Sequence, residues 1–140
     1  MQYTARVTRE GRHWLAEFVD APGCQTFAGS RSELEAMATD ALIGWLKAFL
    51  VTGDAPPAPR TRRVTGDVLR VVVPPALAVA IAIRWARLAA NLTQGELAKR
   101  AHVSQQQIAK LERPDENPTI ATLAKVADAL NVRLDVGFSR

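Results

Sequence analysis

A chain of 140 residues with an apolar share of 48% and a charged share of 23% is globular rather than disordered, and holds one domain or two small ones. Its net charge of +4 is unevenly spread: residues 1–59 carry five Lys and Arg against seven Asp and Glu, and residues 60–140 carry thirteen against seven. The single cysteine, Cys24, excludes an intramolecular disulfide, and the longest apolar run, Val71 to Ile83, is too short to span a bilayer and is broken by Pro74 and Pro75. Met1 to Thr4 leads directly into a strand-like alternation rather than a secretory leader, so a soluble, cytoplasmic chain is expected, with no membrane role.

In chain order, Tyr3, Ala5 and Val7 alternate with Thr4, Arg6 and Thr8, which predicts a half-buried strand. Glu10-Gly11-Arg12 is a hairpin turn. His13 to Val19 is a second strand with Trp14, Ala16 and Phe18 on one face, closed by the turn residues Asp20-Ala21-Pro22-Gly23. A short third strand follows at Cys24 to Ala28. Ser30 with Glu33 forms a capping box that opens a helix, whose apolar positions Leu34, Met37, Ala38, Ala41, Leu42, Trp45, Leu46 and Phe49 recur at three- and four-residue spacing. The helix ends near Gly53, and the proline-rich stretch from 53 to 63 is an extended, poorly packed connection open to proteolysis. Val68 to Val73 is a fourth strand returning to the same sheet.

This β-β-β-α-β order, with Asp20, Pro22, Gly23 and Cys24 at the exit of the second strand and the helix start Thr26-Phe27-Ala28-Gly29-Ser30, resembles the HicB antitoxin domain over residues 1 to about 73. The resemblance implies a partial RNase H-like fold and a toxin–antitoxin role, in which this domain binds a HicA-like toxin, a small basic ribonuclease that cleaves mRNA.

Beyond Pro75, a residue tolerated in the first turn of a helix, Ala76 to Ala90 predicts a helix with Leu77, Ile81, Trp85 and Leu88 as its buried stripe and Asn91 as a left-handed cap. Thr93 with Glu96 is a capping box, so a second helix starts at Gln94 with Leu97 and Ala98 inward. After the turn Ala101-His102-Val103, Ser104 with Gln107 caps a third helix that buries Ile108 and Leu111. Its other side carries Gln105, Gln106, Ala109 and Lys110. Thr119 opens a last helix, through Leu130, closed by Asn131. Val132, Leu134, Val136 and Phe138 then alternate with Arg133, Asp135 and Gly137, predicting a terminal strand. A lone strand needs a partner edge, so this one is expected to pair with its symmetry mate in a homodimer that sets two recognition helices about one DNA turn apart. Further pairing into a tetramer through the N-terminal sheet stays open.

Arg87, Leu92-Thr93-Gln94, Leu97-Ala98, Val103-Ser104, Ile108, Leu111-Glu112, Pro118, Leu123, Ala127 and Leu130 together resemble the Xre/Cro type of helix-turn-helix. The family's usual glycine in the tight turn is His102 here, at a cost on the order of 1 kcal/mol for a left-handed non-glycine residue. For double-stranded operator DNA, Gln105 and Gln106 are the expected base readers, because a glutamine amide can pair with both N6 and N7 of adenine. Thr93, Gln94, Lys110 and Arg113 are expected at phosphates, and the helix start at Ser104 adds its N–H groups. Lys99 and Arg100 stand between phosphate contact and plain solvated charge.

Metal-dependent nuclease chemistry needs converging carboxylates, and the first strand, Gln2 to Arg9, has none; Asp20, Glu33 and Asp40 have structural explanations as a turn, capping and mid-helix residue. Cys24 reads as a packed side chain rather than a nucleophile. No enzyme, metal or cofactor is expected. The chain is thus read as a two-domain α+β protein: a HicB-like toxin-binding domain over 1–73 and an all-α DNA-binding and dimerisation domain over 75–140 with a C-terminal strand. Its expected function is that of an antitoxin that neutralises its toxin and represses its own operon. The alternative is a solitary transcriptional regulator with a different ligand.

Overall fold

The computed structural model describes residues 1–60 and 63–140. It divides into two compact units, Met1–Pro74 and Pro75–Arg140.

In the first unit, β1 (Gln2–Glu10), β2 (His13–Phe18), β3 (Gln25–Ala28) and β4 (Val68–Val72) form an antiparallel sheet in the order β3-β2-β1-β4. Gly11 takes φ +60° in the β1–β2 turn, a backbone angle natural to glycine. The register pairs Ala5 with Phe18, Val7 with Ala16 and Tyr3 with Val71, so the inward residues of neighbouring strands lie side by side. All six are buried. Against this sheet packs α1 (Arg31–Thr52), capped by Ser30, whose hydroxyl accepts the Glu33 N–H at 3.2 Å. At its start, Arg31 grips Asp67 just before β4 through Nη2–Oδ1 at 2.6 Å and Nε–Oδ2 at 3.0 Å, and also reaches the Val68 carbonyl.

The buried residues of α1 are Leu34, Ala38, Leu42, Leu46 and Leu50, a single row at four-residue spacing. The expected stripe was broader. Met37 is exposed, and Trp45 and Phe49 are half-buried in an edge-on pair with ring centroids 4.7 Å apart. One helix on one sheet makes its closest contact along a single line, and the aromatic rings flank that line.

Residues 54–60 correct the expectation of a poorly packed connection. Pro56 is buried, the Tyr3 hydroxyl donates to the Pro57 carbonyl at 2.7 Å, and the Arg60 N–H donates to Asp20 Oδ2 at 3.0 Å. Proline excludes helix but leaves carbonyls free as acceptors, and the end of the sheet uses them. The remaining part of that expectation, at Thr61 and Arg62, lies outside the described residues. Burial, with the nearby Asp20 charge, pushes the Tyr3 phenol up to about 12, so it is a donor at every physiological pH.

The second unit holds α2 (Pro75–Ala89), α3 (Gln94–Ala101), α4 (Gln105–Leu111) and α5 (Ile120–Leu130). Its core joins Ile83, Leu92, Leu97, Ala98, Ile108, Leu111, Val126 and Leu130. Asn91, His102 and Asn131 all take left-handed angles near φ +55°, and the chain turns after α2, α3 and α5 at these residues. The His102 N–H donates to the Ala98 and Lys99 carbonyls, so the turn closes without glycine.

One expectation fails in this unit, and another depends on a second copy. The buried side of α2 comprises Leu77, Ala80, Ile81, Ile83, Arg84 and Arg87, while Trp85 is half-buried and Leu88 is 42% exposed. The arginines take the place assigned to Trp85 and Leu88 because a carboxylate awaits them. Within one chain residues 132–140 belong to no strand, and Val136 and Phe138 are exposed. An alternating pattern equips a segment for a ladder, but the ladder needs a second edge, and none is paired to it within this chain.

Candidate nucleic-acid interface

The α3–turn–α4 segment is built by two reciprocal capping boxes. Thr93 Oγ1 accepts the Glu96 N–H at 3.1 Å, and the Thr93 N–H donates to Glu96 Oε1 at 3.1 Å. Ser104 Oγ accepts the Gln107 N–H at 3.1 Å, and the Ser104 N–H donates to Gln107 Oε1 at 3.0 Å. The bond from the Thr93 backbone, followed by that from its side chain, lowers the Glu96 carboxyl below its ordinary range. Thr93, Ser104 and Gln107 are thus tied to helix starts, and Gln105 and Gln106 are left exposed on the first turn of α4.

Gln105 leans toward the start of α3. Its Oε1 lies 3.3 Å from where a β-carbon on Gly95 would stand, so the missing side chain at Gly95 makes room for it. This brings together the N-terminal ends of α3 and α4, with Thr93, Gln94, Gln105 and Gln106. Gln94 is half-buried, and its amide donates to Glu112 Oε1 at 3.4 Å, leaving a second amide hydrogen for another acceptor. Lys110, in the last turn of α4, and Arg113, just past its C-terminal cap, are exposed but stand toward the other end of the helix, about 7 Å or more from Gln105 at the helical rise of ~1.5 Å per residue.

What orients α4 is a buried charge cluster that sequence reasoning missed. Glu112, at the C-terminal cap of α4, accepts Arg84 Nε on Oε1 at 2.7 Å, Arg87 Nε on Oε2 at 2.7 Å and Arg87 Nη2 on Oε1 at 3.0 Å. Arg87 Nη1 also donates to the Leu92 carbonyl at 2.8 Å. The side chains are 5%, 8% and 0% exposed for Arg84, Arg87 and Glu112. Burial raises the Glu112 carboxyl, but hydrogen bonds and charge from Arg87 and Arg84 together outweigh it and hold the group below the usual glutamate range. One carboxylate therefore joins α2, the loop before α3 and the end of α4. The available signal was the placement of Arg84 and Arg87 three residues apart on the apolar stripe of Leu77, Ala80 and Ile81. Charges there demand a buried counter-charge, and Glu112 continues the row of Ile108 and Leu111.

Residues 83–136 match the helix-turn-helix family. They are a helix-turn-helix domain. The match runs from Ile83 through both capped helices and α5 into the terminal tail, so the buried cluster and the exposed glutamines all fall inside it. Along nearly its whole length the chain is similar to Antitoxin HicB 2 of Photorhabdus laumondii subsp. laumondii, 26% identical over 136 residues that make up 97% of this chain and 95% of that protein. The two likenesses support a HicB-type antitoxin with a helix-turn-helix domain.

Among the described residues no three or more His, Cys, Asp or Glu side chains gather as metal ligands. Asp20 is engaged by the Arg60 N–H, while Glu33 and Asp40 are exposed on α1. Cys24 is buried, and burial pushes its thiol up to about 11, away from the thiolate a nucleophile needs. No single helix among these residues is long and apolar enough to cross a membrane.

Proposed function

We propose that this protein is the antitoxin of a type II toxin–antitoxin pair. Its first unit, over residues 1–73, neutralises a HicA-like mRNA-cleaving toxin, and its helix-turn-helix unit, over residues 75–140, represses the operon that encodes both. The observation that carries this reading is that the likeness to an antitoxin extends across both units and is not confined to the DNA-binding segment. The sheet–helix unit works by covering the toxin's RNA-binding surface or active site rather than by catalysis, as a partial RNase H-like fold whose four-stranded order β3-β2-β1-β4 carries one helix. On operator DNA in the cytoplasm, Gln105 and Gln106 read bases while Thr93, Gln94, Lys110, Arg113 and the N–H groups after Ser104 hold phosphates. A homodimer presents two such helices to a two-fold operator.

The test separates the units within the full chain. Co-expression with the small open reading frame beside this gene should relieve the growth arrest that frame causes. The variant carrying Gln105→Ala and Gln106→Ala should relieve it equally while losing repression of an operon reporter. A chain that represses but gives no relief would refute the antitoxin reading and leave a DNA-binding regulator.

A further inference from the structure

After α5 the chain leaves through Asn131 with an apolar row that lacks a partner. Val132, Val136 and Phe138 are 48%, 66% and 106% exposed, Leu134 is half-buried, and all four share one side of the alternation. On the other side, Arg133 and Asp135 meet at 3.1 Å, with side chains 85% and 73% exposed. We propose that this tail is a self-complementary strand, paired antiparallel with the same segment of a second copy in the register that sets Leu134 opposite its own counterpart. The proposal rests on the homodimer reading above and adds its register.

Two-fold pairing places one residue, or the gap between two, on the axis. An axis between residues brings the apolar row of one copy against the polar row of the other. With Arg133 or Asp135 on the axis, two like charges face each other at the closest cross-strand position, which is destabilising. With Val136 there, Arg133 faces Ser139 and Asp135 faces Gly137, and the charges find no partners. With Leu134 on the axis, Val132 faces Val136, Arg133 faces Asp135, and both pairs occur twice. Phe138 then comes opposite Leu130, the last residue of α5.

Backbone bonding agrees with this register and refines it. Residues of an antiparallel pair alternate between exchanging two N–H···O bonds and exchanging none. The Val132 N–H already donates to the Ala127 carbonyl at 3.0 Å in the cap of α5, so Val132 sits at a position that exchanges none. The bonded positions are then 133 and 135. Leu134 falls in a non-bonded pair, where Cα atoms approach to about 4.5 Å and a disulfide can form between substituted cysteines.

Three single-cysteine substitutions in the full chain test this: Val132→Cys, Leu134→Cys and Val136→Cys. The native Cys24, buried and poorly ionised, stays silent under mild oxidation. Leu134→Cys should cross-link to itself nearly completely, whereas Val132→Cys and Val136→Cys should cross-link only when the two variants are co-expressed. Because Arg133 and Asp135 are exposed, Arg133→Asp should leave folding intact and weaken dimerisation about tenfold in sedimentation, and adding Asp135→Arg should restore it. Dimers in which Val136→Cys cross-links to itself and Leu134→Cys does not would overturn the register while leaving the homodimer standing. A wild-type chain that sediments as a monomer at micromolar concentration would overturn both.

Discussion

Glu112 holds the helix-turn-helix in place through two arginines on another helix, and removing its charge leaves both guanidinium groups buried without their counter-ion. Glu112→Gln is expected to destabilise the second unit by about 3 kcal/mol, within the range for breaking a buried ion pair from one side. Urea unfolding of the full chain, followed by a probe in α4, reads the loss. Its pH dependence has a definite sign. The folded-state pKa of Glu112 lies below its ordinary value of 4.5, so its contribution is complete above that value and is lost as pH falls through the folded pKa. The wild type should therefore lose stability as pH falls below the ordinary glutamate range, and the Gln variant should lose less. Equal acid sensitivity in the two proteins would contradict the assignment. The capping residues Ser30, Thr93, Ser104 and Thr119 were legible in the sequence because each acts within three residues of its own helix start. The Glu112 cluster was not, because its arginines lie 25 and 28 residues away.

At the scale of elements, α4 carries the base-reading argument and α1 carries the first unit's core. Gln105 and Gln106 are exposed, so replacing both by Ala should leave folding intact and lose roughly 1–3 kcal/mol of operator affinity per base contact, with relaxed sequence preference. Lys110→Ala should instead weaken binding to every sequence alike and reduce the slope of log affinity against log salt by about 1. Titrations of operator and scrambled duplexes at several salt concentrations distinguish the two, and unchanged operator affinity in the double glutamine variant would sink the base-reader assignment. In α1, Leu42 is wholly buried at the middle of the leucine row, and Leu42→Ala should cost about 2–5 kcal/mol of the first unit's stability in a thermal or urea melt. The strands and helices of both units were legible because their apolar periods differ. The alternation at 132–138 specifies two faces, but the edge it would pair with is not present within one chain. The 54–60 connection was under-read because its anchors, the Tyr3 hydroxyl and the Asp20 carboxylate, lie 54 and 40 residues earlier.

For the whole molecule, the charge break near residue 60 does not coincide with the division of structure after Pro74: the first unit carries nine Lys and Arg against eight Asp and Glu, and the second nine against six. The larger positive excess lies in the unit that carries the helix-turn-helix, where phosphate attraction is useful, while the mild acidity is confined to residues 1–59 and is offset within the first unit by Arg60, Arg62, Arg63 and Arg70. Fold class and helix-turn-helix type were within reach of the sequence because they rest on local periodicity and capping. The surface of residues 1–73 that would meet a toxin was not, because recognition depends on which side chains the folded sheet and helix present together. The most direct test of the central claim is growth of cells expressing the adjacent small open reading frame, alone and then with the full chain. The account predicts arrest in the first case and restored growth in the second. A harmless neighbour, or an arrest that the full chain leaves unchanged, would contradict it.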